Sequence, residues 1–337
     1  DMGTRRIDAV TGAFTGHVHL HTHARLGVAH LGALTGERRY LDWVRVAFDY
    51  VRSHGTDYGW FPEHVPQGSY RSEVCILGDM LRTATWLARG LSPAYWDDVE
   101  RWLRNELQRS QFFLTEPFAE LFGELHRARP SAVVEAALRQ LRRLEGGFVS
   151  QSTFDDWVTR PDPRTLGAPG MDHGGIQMMG CCPPEGMHGL WTAWTGVVEE
   201  HGGEVRVNLA VSREHPAARV TAREPAAGRY EVLCRRAGRY LLRPPAWAAR
   251  AGVAVSLDGQ PQPVRWGGPD DAYVDTGDRR PGELLKLTWT PLAFTQQHAA
   301  TSVPERDQQV RVAWVGHEVT GVEPRAQYLS KYNASRP

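Results

Sequence analysis

Two short stretches hold the side chains best suited to chemistry. One is Glu73-Val74-Cys75; the other, far downstream, is Cys181-Cys182 within Gly180-Cys181-Cys182-Pro183-Pro184. A carboxylate and three thiols complete a tetrahedral zinc site, because Zn2+ is borderline soft and its filled d shell imposes no directional demand. The spacing is not that of a zinc finger, which pairs short C-x-x-C knuckles; here the ligands come from separate elements, so a metal would tie two parts of the fold together. The competing account makes Cys75 a buried small hydrophobe and the cysteine pair mere packing. Adjacent cysteines argue against it, since a vicinal disulfide needs a strained ring and paired thiolates on a metal do not. Pro183-Pro184-Glu185 reads as a helix start, which sets the pair at the positive end of a helix dipole, where thiolates stay ionised. An ionised cysteine there can serve as ligand, as nucleophile or as both. Cys234 alternates with Tyr230 and Val232 on an expected strand and reads as a packed thiol.

Two further groups offer polar chemistry. In Gly16-His17-Val18-His19-Leu20-His21-Thr22-His23 the histidines alternate, so on a strand they would share a face and could chelate. The pattern downstream is helical, and sugar hydroxyls are the better partners for one or two of these rings, since imidazole both donates and accepts. His21 and His23 read as solvated or satisfied. The loop from Asp57 to His64 carries Trp60 and Phe61, flat faces for stacking, and two carboxylates, Asp57 and Glu63, either of which could act as a general acid. A carboxyl beside those rings loses water, which raises its pKa toward the range an acid needs. Asp155, Asp156 and Trp157 echo this loop weakly and read as structural.

Composition narrows the partners. Thirty-nine basic and thirty-nine acidic side chains cancel, so no net field draws nucleic acid or an anionic membrane. No apolar stretch approaches the roughly 20 residues that span a bilayer. Twelve tryptophans suit a carbohydrate ligand, although any one of them is more often core than contact. Four cysteines are too few for a disulfide scaffold. A cytoplasmic location is the expectation, with a homodimer as the candidate assembly. The opening Asp1-Met2-Gly3 reads like mid-chain sequence, as in a fragment of a longer protein.

These side chains need elements to position them. Apolar residues recur at helical spacing through the first part: Leu41, Val44, Phe48 and Val51 after Thr35-Gly36; Trp96, Val99 and Leu103 after Ser92-Pro93; a stretch from Ser131 to Leu144 stopped by Gly146-Gly147; and Leu190, Trp194 and Val197 after the cysteine pair. Short breaks between them suggest helical hairpins. Beyond His201 the period falls to two, in Val205-Val207-Leu209-Val211, Tyr230-Val232-Cys234, Val253-Val255-Leu257 before an Asp258-Gly259 turn, and Leu285-Leu287-Trp289. About 90 residues of such pattern make a β-sandwich. After Ala300 only Val310, Val312 and Trp314 suggest a further strand. The expected fold is therefore α+β and multidomain: an (α/α) barrel-type helical domain, incomplete, over residues 1–200; a β-sandwich over 201–300; and a C-terminal extension over 301–337.

At these residues the chain resembles the cysteine-dependent β-L-arabinofuranosidases of glycoside hydrolase family 127. The resemblance takes in GHVH from Gly16, LTGERRYLD from Leu34, SEVC from Ser72, GCCPPEG from Gly180 and VRVNLAVSREHP from Val205. It implies an (α/α) barrel followed by β-sandwich domains. It also implies zinc held by Glu73, Cys75, Cys181 and Cys182, with Cys181 doubling as the nucleophile of a retaining, exo-acting glycosidase. It makes His17 a substrate contact with His19 as its neighbour. The family's acid/base glutamate lies upstream of the E-x-C motif; its spacing falls on Asp57, and Glu63 is the nearest glutamate and the preferred candidate. The rival expectation is a non-catalytic relative that binds glycan or protein around a closed, structural zinc. A zinc-water hydrolase ranks last, because four protein ligands leave no place for water.

Overall fold

A computed structural model describes residues 7–66, 71–157, 178, 180–223, 225–300, 308–326 and 328–332. Its helices are α1 (Val18–Thr35), α2 (Arg38–Ser53), α3 (Val74–Gly90), α4 (Tyr95–Trp102), α5 (Glu116–Leu125), α6 (Ser131–Arg142) and α7 (Cys182–Gly196). No helix among the described residues is long and apolar enough to cross a membrane. Local rules account for most of the ends. Gly36 closes α1 in the left-handed region at φ 70°, its N–H reaching back to the Gly32 carbonyl, a conformation glycine adopts without strain. α2 buries Leu41, Val44, Phe48 and Val51, the stripe its periodicity predicts, and α4 buries Trp96 and Val99.

α7 departs from expectation. Leu190 and Trp194 are only half-buried and Trp191 is exposed, whereas Gly186, Gly189, Ala193 and Gly196 face the core. The reason is a close crossing with α3: a Cβ on Gly189 would stand 3.1 Å from the Cα of Gly78. Small side chains at that crossing let two helix backbones approach, and the larger apolar residues are displaced to the flanks.

From Val198 onward the chain is β. One five-stranded sheet runs Trp266–Gly267, Tyr273–Arg279, Gly238–Leu242, Glu204–Val207, Val198–His201 in spatial order. A six-stranded sheet runs Gln260–Gln262, Ala254–Leu257, Leu284–Thr288, Arg229–Cys234, Ala218–Thr221, Arg213–Glu214. Alternate residues of both, among them Val205, Val207, Tyr240 and Val274 from the first and Val220, Val232, Cys234 and Leu287 from the second, share one core. Asp258 and Gly259 both take positive φ, 48° and 80°, and join two strands as the hairpin signal requires.

The C-terminal region is richer than the one strand expected around Val310. Ala293–Ala300, Gln308–Val315 and Glu318–Glu323 form an antiparallel three-stranded sheet. Its Val310, Val312 and Trp314 pack on Tyr58 and Trp60 of the helical part. Buried charges pin the same junction. Lys331 donates to Glu106 at 2.6 Å, Tyr332 donates to the other oxygen of Glu106 at 3.0 Å, and Asp156 receives the backbone N–H groups of Tyr328 and Leu329. Asp155 and Asp156 are structural, as the sequence suggests. α4 is tied to the strands in the same way, through a buried Asp97–Arg243 pair.

Candidate active site

Two helix N-termini converge to build the site. Glu73 is the N-cap of α3 and Cys75 lies in its first turn; Cys181 is the N-cap of α7 and Cys182 its first residue. Both helices turn the positive ends of their dipoles toward this cluster, which suits anionic ligands, although Pro183 and Pro184 deprive the first turn of α7 of two N–H donors. The α3–α7 crossing at Gly78 and Gly189 fixes their separation. A two-stranded pairing of Ser72–Glu73 with Gln151–Ser152 holds the entry to α3, and Val74 N–H donates to the Ser150 carbonyl at 2.9 Å.

One ligand atom from each of Glu73, Cys75, Cys181 and Cys182 lies within 4.8 Å of all the others. Cys181 Sγ is 3.7 Å from Cys182 Sγ, and Cys182 Sγ is 3.6 Å from Glu73 Oε1. Zn–S bonds of about 2.3 Å and Zn–O bonds near 2.1 Å give tetrahedral edges of roughly 3.5–3.8 Å, so these two edges fit zinc. Cys75 Sγ and Cys182 Sγ stand closer, at 3.1 Å, as a hydrogen-bonded pair that a cation would spread. All four cysteines are free thiols. The thiols titrate against one another. The hydrogen bond from Cys75 pulls Cys182 down and pushes Cys75 far up, while burial and the neighbouring Cys182 raise Cys181. Such a group of acceptors cannot all be ionised without a counter-cation, and a dication is what their chemistry calls for. Cys75 and Cys182 are buried and Cys181 is exposed, so of the three it alone presents sulfur to a solvent-borne molecule. Cys234 lies buried between the sheets, where burial pushes its thiol up to about 12.

A second strand pair, Gly16–His17 with His64–Val65, sets the polar flank. His17 Nε2 is 2.9 Å from Glu73 Oε2 and, beyond hydrogen-bond reach, 4.0 Å from Glu63 Oε1. Burial acts to raise the Glu73 pKa, but the hydrogen bond and charge of His17 outweigh it and hold the carboxyl low. Glu63 is itself buried; Arg71 Nε donates to its Oε2 at 2.6 Å and Gln151 Nε2 to its Oε1 at 3.1 Å. These bonds lock its orientation.

The remaining sequence candidates lie elsewhere. Asp57 accepts from Gln296 Nε2 at 2.6 Å and stands 3.9 Å from Arg101, on the side of the C-terminal sheet. Trp60 is 2 % exposed, its Nε1 donates to the Ser152 carbonyl at 3.2 Å and its ring packs on Phe154. That ring is filled on its faces by protein and offers no surface for stacking a sugar. His19 turns to Asp79, at 2.9 Å, and His21 packs on Phe14. Asp79, Arg71 and Gln151 did not emerge from the sequence. Only Asp79 carried a signal there, four residues beyond Cys75 and so on the same face of α3.

No protein-family model and no curated protein matches the chain. Its fold does match solved structures. It is similar to a family 127 β-L-arabinofuranosidase from Geobacillus stearothermophilus T6, with a TM-score of 0.57 and 16% identity over 90% of this chain and 47% of that one. A family 127 β-arabinofuranosidase gives 0.60 and 16% over 94% and 50%, and a protein described as a glycoside hydrolase gives 0.62 and 14% over 94% and 52%. The fold is therefore that of this group, and the chain spans about half the length of the structures it matches.

Proposed function

We propose that the chain is the zinc-site portion of a retaining, exo-acting glycoside hydrolase of the arabinofuranosidase type, with α1–α7 as part of an (α/α) barrel. The observation that carries this reading is the ligand group itself: one carboxylate and three thiols gathered at two helix N-termini, with Cys181 alone exposed. The family 127 neighbours support it through their fold, and what they act on enters here only as the basis of the proposal.

Glu73, Cys75, Cys181 and Cys182 would hold the metal, which supplies the charge that keeps the thiols ionised and steadies sulfur as a leaving group. Cys181 Sγ attacks the anomeric carbon as the glycosidic C–O bond breaks, and Glu63 gives its proton to the departing oxygen. A water then attacks the same carbon, Glu63 takes the water's proton, and the C–S bond breaks to return the thiolate. His17, held against Glu73 and near Glu63, is placed to accept from or donate to a sugar hydroxyl. His19 and Trp60 face protein partners, so their part in binding is indirect, through the strand and loop that carry His17 and Glu63. Asp57 stands as the alternative acid. The partner is a carbohydrate; neither nucleic acid nor membrane is required.

Covalent capture tests the nucleophile. A haloacetamido sugar of furanose shape should label Cys181 and spare Cys182 and Cys234, read by mass spectrometry of peptides. Label distributed over all four cysteines, or reaching Cys234 first, would instead favour a closed structural zinc in a glycan- or protein-binding relative.

A further inference from the structure

We infer that His19, His23 and Asp79 form a second cation site, suited to a divalent transition metal and distinct in chemistry from the sulfur-rich group beside it. The site follows from the helical period. His19 and His23 are four residues apart on α1, so one turn stacks them on one face, and α3 brings Asp79 against that face. His19 Nδ1 lies 2.9 Å from Asp79 Oδ2 and His23 Nδ1 lies 3.2 Å from Asp79 Oδ1; the three ligand atoms are within 4.8 Å of one another. These are hydrogen-bond separations, which a cation on bonds of about 2.0–2.2 Å would spread to tetrahedral edges of roughly 3.3–3.6 Å.

The carboxylate is the strongest part of the case. Asp79 is wholly buried on a helix interior, where an ionised group needs compensation. Thr22 donates to Oδ2 at 2.9 Å. The nearest guanidinium, Arg82, is 3.9 Å from Oδ1 and is committed to Glu185 at 2.9 Å. Two imidazoles therefore supply the rest of the carboxylate's partners, and two imidazoles with one carboxylate are a donor set for zinc, nickel, copper or ferrous iron. The side chain of His23 is 57% exposed, so the remaining coordination positions open to solvent. Repulsion from the first metal is small, because the thiolates and Glu73 carry more negative charge than one dication cancels. This inference does not rest on the glycosidase reading.

Cobalt separates the two sites. Thiolate ligation gives cobalt(II) an intense sulfur-to-metal charge-transfer band, and a histidine–carboxylate site does not. Reduced protein titrated with cobalt(II), with bound metal counted by elemental analysis, should take two equivalents, of which one develops the band. His23→Ala, at an exposed position, should lose one equivalent and keep the full band; Asp79→Asn should do the same. Cys75→Ser should lose most of the band and keep the other equivalent. A wild-type protein whose single equivalent carries the band, or a His23→Ala variant that takes as many equivalents as the wild type, overturns the inference. Absence of the band in wild-type protein strikes the cysteine site alone.

Discussion

Replacing Gly78 by alanine should open the metal site from a distance. A Cβ at this position would stand 2.9 Å from the Glu185 carbonyl carbon of α7 and closer still to its oxygen, where ordinary contact begins at 3.4 Å. The obstacle is helix backbone, so it cannot rotate away. α7 must retreat by about 0.5–1 Å, and overpacking of this kind costs roughly 1–3 kcal/mol. Removing a helix glycine returns about 1 kcal/mol of that, leaving a net loss of about 0–2 kcal/mol in fold stability. The metal suffers more, because Cys75 and Glu73 ride on α3 while Cys181 and Cys182 ride on α7, and ligand distances tolerate only about 0.2 Å. Zinc affinity, measured by competition with a chromophoric chelator, should fall at least tenfold, equivalent to about 1.4 kcal/mol. Gly27→Ala is the control: nothing lies within 4 Å of its Cβ position on α1, so it should stabilise the protein by roughly 0.5–1 kcal/mol and leave zinc binding unchanged. If Gly78→Ala binds zinc as tightly as the wild type, the α3–α7 crossing does not set the ligand geometry and the argument fails.

Other outcomes follow from the same structure. Glu63→Gln should abolish hydrolysis of unactivated glycosides while Asp57→Asn leaves most of it, with an aryl leaving group partly rescuing the first; the reverse ranking in steady-state assays would transfer the acid's role to Asp57. Asp98 is buried, and that burial, only partly offset by Arg52 at 2.9 Å, lifts its pKa to about 6. Because the folded value exceeds the unfolded one, the wild type is favoured below about pH 4 and loses stability as pH rises through about 6. Asp98→Asn should therefore gain on the wild type by up to about 3 kcal/mol between pH 4 and 7.5 in denaturant titrations, and a pH-independent difference would count against it.

How much of this was legible in the sequence depends on how local the signal is. Glu73, Cys75, Cys181 and Cys182 could be grouped because thiols that avoid disulfides have few other uses, and the structure places them in one cluster. Gly36 and Asp258-Gly259 marked their turns through backbone preference alone. Trp60 misled, since an aromatic in a polar loop looks available until the C-terminal sheet, hundreds of residues away, covers it. That sheet was half-hidden for a related reason: the half-buried side of the 293–300 strand carries Phe294, Gln296 and His298, so only one of its residues gives a hydrophobic signal. The inward face of α7 was misread because glycine and alanine carry no hydrophobic signal, though they pack where two backbones touch. His19 and His23 needed only a change of period, from two to 3.6, for their pairing to show.

Zinc-edge X-ray absorption on reduced protein loaded with one equivalent tests the central claim most directly. The four ligands predict three sulfurs at about 2.3 Å and one oxygen near 2.1 Å, with the sulfur count falling by one in Cys75→Ser. A shell of nitrogen and oxygen alone, or a protein that retains no zinc after dialysis, would contradict it.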